Sequence, residues 1–143
     1  MNARMLVLDT NVYIDLFDDR ELAERVAGTL AGIRQPLHIS SVVVAELLAG
    51  TATAHARREV ERLVLPPAVT DRLVTPSHDD WMTAASALAD LGGDAITSRR
   101  SFWNDLLIAA SCARVGAALM TRDADDFRRI RRAIPVQLVA RPI

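Results

Sequence analysis

The hydrophobic pattern along the chain switches repeatedly between short continuous apolar runs and longer stretches of helical periodicity. Met5 to Leu8 is a continuous run of the kind that forms a strand buried on both faces, and Asp9-Thr10-Asn11 after it are good helix-starting residues. Leu22, Val26, Leu30 and Ile33 recur at helical spacing between Arg20 and Arg34. Leu37-His38-Ile39 reads as a second strand, and Ser40-Ser41 can cap a helix over Val42 to Leu48 that Gly50 ends. A further helix over Ala54 to Leu65 is expected to stop at Pro66-Pro67. Arg72 to Thr75 is a third strand, closed by Pro76, and Trp81, Ala84, Leu88 and Leu91 mark a helix ending at Gly92-Gly93. Asp94 to Ser101 reads as a polar loop. Phe102 to Val115 is a helix apolar nearly all round, hence buried. Ala117 to Met120 is a fourth strand, Ala124 to Ala133 a short basic helix, and Val136 to Val139 a last strand.

Strands alternating with helices predict an α/β fold, a parallel sheet covered on both faces, and such sheets bind ligands beyond the carboxyl ends of their strands. The 143 residues favour a single domain over 1–143, with no repeat or linker to divide it. Half the residues are hydrophobic, against disorder, yet no apolar run approaches the ~20 residues of a membrane span. The first apolar run is too short for a signal peptide, so the expectation is a cytoplasmic protein without membrane contact. The single cysteine, Cys112, can make neither an internal disulfide nor a thiolate zinc site.

Charge type narrows the chemistry further. All 17 basic residues are arginine. Without lysine there is no Schiff base and no P-loop, and receiver domains and haloacid-dehalogenase-type phosphotransferases are disfavoured. A net charge of −1 argues against a general nucleic-acid coat and leaves room for a local basic patch.

Four acidic residues break the local pattern. Asp9 and Asp123 each follow a predicted strand at its carboxyl end. Glu46 has Val42, Val43, Ala49 and Gly50 as its helical neighbours, and Asp105 has Ser101, Phe102, Ile108 and Ala109. A buried carboxylate must be protonated, paired with a cation or bound to metal. Separate arginine pairs are one solution. One shared acidic pocket, suited to Mg²⁺ or Mn²⁺, is the other, and four such acids with two at strand ends favour it.

These residues carry a family resemblance. The segments Leu8-Asp9-Thr10-Asn11-Val12, Ser40 to Gly50, Asn104-Asp105-Leu106-Leu107-Ile108-Ala109-Ala110 and Thr121-Arg122-Asp123-Ala124-Asp125-Asp126-Phe127 occur in the order seen in PIN-domain ribonucleases. Together they resemble most closely the toxin subunit of VapBC-type toxin–antitoxin pairs. The resemblance implies a three-layer α/β/α domain with a five-stranded parallel sheet in the order 3-2-1-4-5. It implies that Asp9, Glu46, Asp105 and Asp123 form a metal site and hydrolyse RNA phosphodiester bonds with Mg²⁺ or Mn²⁺. The family often has Asn where Asp123 stands and an acid three residues later, so Asp126 is the alternative fourth ligand. Asp125 and Asp126 can instead simply favour the start of the basic helix.

Thr10, Asn11 and Thr121 can orient ligands or phosphate, or else cap the local helix and strand ends. Arg99 and Arg100 are candidate RNA phosphate contacts, the alternative being a solvated loop. Arg128, Arg129, Arg131 and Arg132 form a second basic cluster open to RNA, to neighbouring acids or to an antitoxin. Phe102, Trp103 and Cys112 read as packing. By resemblance the partners are a cognate VapB-like antitoxin, RNA and a second copy in a homodimer. A PIN nuclease that processes RNA without an antitoxin is an alternative. So is an inactive RNA- or protein-binding module, which the intact acids disfavour.

Overall fold

The computed structural model describes residues 5–32, 37–68, 72–94 and 98–140. The chain runs through β1 (Met5–Leu8), α1 (Thr10–Asp18), α2 (Arg20–Gly32), β2 (Leu37–Ser40), α3 (Ser41–Ala49) and α4 (Ala54–Ala68). It continues through β3 (Leu73–Val74), α5 (His78–Leu91), α6 (Arg100–Val115), β4 (Ala117–Thr121), α7 (Ala124–Ile130) and β5 (Gln137–Ala140). The strands form one parallel sheet in the order β3-β2-β1-β4-β5, as the resemblance implies. Helices flank it in a three-layer α/β/α arrangement. Among the described residues no helix is long and apolar enough to cross a membrane.

The continuous apolar runs occupy the centre of the sheet because both faces there are covered. Leu6, Val7 and Leu8 of β1 and Ala117 to Met120 of β4 are fully or almost fully buried. Each buried Leu or Val is worth about 1.5–3 kcal/mol, so the β1–β4 register, Leu8 opposite Met120, is held firmly. The chain leaves β1 toward β2 and β3, then returns to β4 on β1's other side. The connections therefore diverge at the carboxyl ends of β1 and β4, the position where open α/β sheets have a crevice.

Several boundaries differ from those expected. α4 runs through Pro66-Pro67 to Ala68 rather than stopping at them. α5 starts at His78, ahead of Trp81, because Ser77 and Asp80 form a capping box. α6 starts at Arg100, so Arg100 stands in a helical first turn and not in the polar loop, with Arg99 at the N-cap. α7 stops at Ile130, and Arg132 and Ala133 tighten into turns through bonds to Arg129 and Ile130 before Pro135. β3 shrinks to Leu73–Val74, and β5 starts at Gln137. Ile33 and Arg34, expected at the end of the second helix, lie outside the described residues.

Candidate functional site

The site is built where β1 and β4 end side by side. Asp9 follows Leu8, and its backbone N–H bonds to the Met120 carbonyl at 2.9 Å, extending the ladder by one residue. That bond brings Asp9 level with Thr121, the last residue of β4. Asp9 is also the N-cap of α1, its Oδ1 accepting from the Thr10 N–H at 2.8 Å. Its Oδ2 accepts from the Thr121 hydroxyl at 2.8 Å and from Asn11 Nδ2 at 3.2 Å.

Asn11 ties the two strand ends together. Its Nδ2 donates to Asp123 Oδ2 at 3.0 Å as well, and its Oδ1 accepts from the Arg122 N–H at 3.1 Å. Thr121 Oγ1 accepts from the Asp123 N–H at 3.0 Å while donating to Asp9. Asn11 and Thr121 are thus partners of the acids and, by accepting the Arg122 and Asp123 N–H groups, also close the end of β4. Thr10 serves the acids too: its hydroxyl donates to Glu46 Oε1 at 2.7 Å.

Glu46 reaches the site from α3 and Asp105 from α6. Ser40 caps α3 by accepting from the Val42 and Val43 N–H groups, which sets where Glu46 emerges. Asn104, on α6 just before Asp105, donates from Nδ2 to Glu46 Oε2 at 3.3 Å. The sequence pattern alone assigned Asn104 no role. Its signal was a polar residue beside Asp105 on an otherwise apolar helix.

Electrostatics show which acids share a neighbourhood. Burial raises the Asp105 carboxyl from 3.8 to about 9, and the charges of Asp9, Glu46, Asp123 and Asp126 add to the rise. Burial likewise raises Asp9 to about 6; Thr121 and the Thr10 amide oppose it, and Glu46 and Asp123 reinforce it. Asp123 thus acts on both Asp9 and Asp105, whereas Asp126 acts on Asp105 and is not among the influences on Asp9. No cation is among those influences either.

The ion pairs bear on the arginine-paired alternative. Arg122 pairs with Asp15 at 2.7 Å, Arg114 with Asp80 at 2.8 Å, Arg129 with Asp94 at 2.7 Å and Arg128 with Asp125 at 3.1 Å. None of these pairs reaches Asp9, Glu46, Asp105 or Asp123. In the second basic cluster, Arg128 and Arg129 therefore meet acids, while Arg131 and Arg132 are exposed. Arg99 and Arg100 are both exposed at the start of α6, little more than one turn ahead of Asp105.

The packing expectations hold for Phe102 and Cys112, which are buried. Burial pushes the Cys112 thiol up to about 12, which keeps it protonated and unreactive. Trp103 is half-buried against Trp81, ring centroids 5.7 Å apart.

Against a hard divalent cation the donor set fits by chemistry: carboxylate oxygens, those of Asp9 and Asp105 buried, with neutral donors on Asp9, Glu46 and Asp123. As placed, however, no three Asp, Glu, His or Cys side chains among the described residues are gathered closely enough to share one ion. The like charges of Glu46 and Asp123 act on Asp9 and oppose closer approach of the acids.

Comparison with known proteins gives a consistent picture. The PIN domain family model matches residues 6–133. Among curated proteins, none matches the chain by sequence. Among solved structures, a chain of VapBC-1 from nontypeable Haemophilus influenzae is 23% identical with TM-score 0.66, covering 95% of this chain and 97% of that one. A chain of VapBC2 from Rickettsia felis, bound to a DNA fragment from their promoter, is 20% identical with TM-score 0.67, covering 95% and 98%. A chain of FitAcB from Neisseria gonorrhoeae is 24% identical with TM-score 0.60, covering 94% and 96%.

Proposed function

Because the chain belongs to the PIN-domain family, we propose that it is a metal-dependent endoribonuclease, acting as the toxin of a type II toxin–antitoxin pair. The observation that carries this reading is the acidic neighbourhood itself. Four acids from both ends of the chain act on one another around the ends of β1 and β4, and none of the ion pairs described above neutralises them. A purely structural carboxylate cluster would be destabilising through desolvation and like charge, so it points to a function.

In this reading Asp9, Glu46, Asp105 and Asp123 would hold Mg²⁺ or Mn²⁺. Asp123 is preferred over Asp126 because it lies near Asp9 as well as Asp105. A bound divalent ion supplies charge that polarises the scissile phosphate and activates the attacking water. The chain's own residues do the rest. Thr10, Asn11 and Thr121 orient the carboxylates through the bonds described above, so the acids need not be ordered at the moment of reaction. Arg99 and Arg100 offset the negative field and contact RNA phosphates.

The partner in this reading is a cognate antitoxin resembling VapB. The neighbours support it, since VapBC-1 and VapBC2 carry two-component names and the second is bound to promoter DNA. Dimerisation with a second copy, a single domain over 1–143 and a cytoplasmic location complete the reading. The test is cleavage of RNA by the purified protein with Mn²⁺ or with chelator, followed by sequencing of the 5′ ends produced. Cleavage by wild type with Mn²⁺, and none by Asp9→Asn, Glu46→Gln or Asp105→Asn, is the expected result. Undiminished cleavage in chelator, or by all three variants, would overturn the reading.

A further inference from the structure

Glu46 has room to leave the cluster. It borders a cavity of about 570 Å³ between α1, α3 and α4, whose lining includes Ile14, Phe17, Leu47 and His55. A glutamate has three side-chain torsions, so nothing in its own covalent structure keeps its carboxylate out of that space. What opposes the swing is a pair of neutral donors on opposite oxygens. Thr10 Oγ1 from α1 holds Oε1 at 2.7 Å, and Asn104 Nδ2 from α6 holds Oε2 at 3.3 Å.

We propose that Asn104 is a positioning residue that, together with Thr10, fixes the Glu46 carboxylate in the site and out of the adjoining cavity. The inference rests on the metal-nuclease reading above and adds a residue to it. Asn104 suits the task for three reasons. Its amide donates without bringing a positive charge that would compete with a cation for Glu46. Being neutral, it also adds no like charge to the cluster. Its place beside Asp105 makes α6 serve two acids at once: successive helical residues point about 100° apart, so Asp105 projects in one direction and Asn104 toward α3. Any shift of α6 against α3 would then move Asp105 and Glu46 together.

The test is Mn²⁺ binding, titrated up to millimolar concentration, on the full chain. Four proteins are compared: wild type, Asn104→Ala, Glu46→Gln and the double variant. Loss of a partner that orients a metal ligand typically weakens binding 10–100-fold, and Asn104→Ala is expected at about 10-fold. Alanine favours helix more than asparagine does, so the melting temperature in chelator should not fall. Asn104→Leu, of similar size and without a donor, should match Asn104→Ala. The decisive result is the cycle: in the Glu46→Gln background, Asn104→Ala should weaken Mn²⁺ binding no further. The same weakening in both backgrounds would show that Asn104 acts elsewhere, and unchanged binding by Asn104→Ala would show that it positions nothing. Either result overturns this inference while wild-type Mn²⁺ binding leaves the nuclease reading standing. Absence of Mn²⁺ binding by wild type would overturn both.

Discussion

At the scale of single residues, the site is a balance between desolvation and charge. Asp105 is raised to about 9 and Asp9 to about 6, each first by burial. An acid whose folded pKa exceeds its unfolded value binds more protons when folded, so the stability it contributes is fully present below the unfolded value. That stability is lost as pH rises through the folded one. Metal-free protein should therefore lose the stability these two acids contribute from about pH 4 upward, the Asp9 share levelling off above about pH 6 and the Asp105 share above about pH 9. Asp105→Asn, neutral throughout, should match wild type below about pH 4 and melt progressively higher than it as pH rises toward about 9. Each kcal/mol corresponds to about 3 °C in a domain of this size. Thermal unfolding in chelator at several pH values checks this, and a variant that melts lower across the whole range would return Asp105 to a structural pairing role. The sequence offers Thr10 and Thr121 as partners of the acids or as caps, without saying which acid each would meet. A hydroxyl beside a helix start has several possible acceptors, and only the fold selects Glu46 for one and Asp9 for the other.

At the scale of elements, α6 is charged against its own stability at one end and capped well at the other. Arginines at a helix N-terminus face the positive end of its dipole, and Arg99 provides no side-chain cap bond. Arg100→Ala should thus raise stability slightly, by about 0.3–1 kcal/mol, while weakening RNA binding. Removing one phosphate-binding charge should also flatten the salt dependence for single strands by about 0.7 in log–log slope. Filter binding at several salt concentrations, beside thermal melts, tests both halves, and an unchanged slope in Arg99→Ala and Arg100→Ala would make this helix start a solvated surface. At the other end Gly116 adopts φ +74°, closing α6 before β4. A side chain there meets no neighbour within 4 Å, so Gly116→Ala should cost only the left-handed strain, about 1–2 kcal/mol, and leave cleavage intact. Urea unfolding together with a cleavage assay reads this. At the start of α5 and the end of α7, caps and turns outrank hydrophobic period. Ser77 with Asp80 extends α5 by its first turn, and no apolar residue announces it.

At the scale of the whole molecule, metal, protons and folding are linked. Metal binding to the folded cluster displaces its protons, so added Mn²⁺ should raise the melting temperature by about 8 °C at 100 times its dissociation constant. The rise should grow from mildly acidic to mildly alkaline pH, and it should be much smaller in Asp9→Asn. Calorimetry of both proteins checks it, and an equal rise in both would count against the cluster as the metal site. The sequence by itself determined the α/β class, the order of elements and the four odd acids. Those features are local: a run of buried strand residues, a helical period, and a charge standing where its neighbours are apolar. The strand order came through resemblance, and the sheet agrees with it. Tertiary structure alone decided which groups meet. β1 and β4 are neighbours although β2 and β3 lie between them in the chain, and that pairing sets Asp9 against Thr121 and lets Asn11 reach Asp123. It also decided that Asn104 faces Glu46, since the packing of α6 against α3 is a property of the assembled core that neither segment encodes on its own.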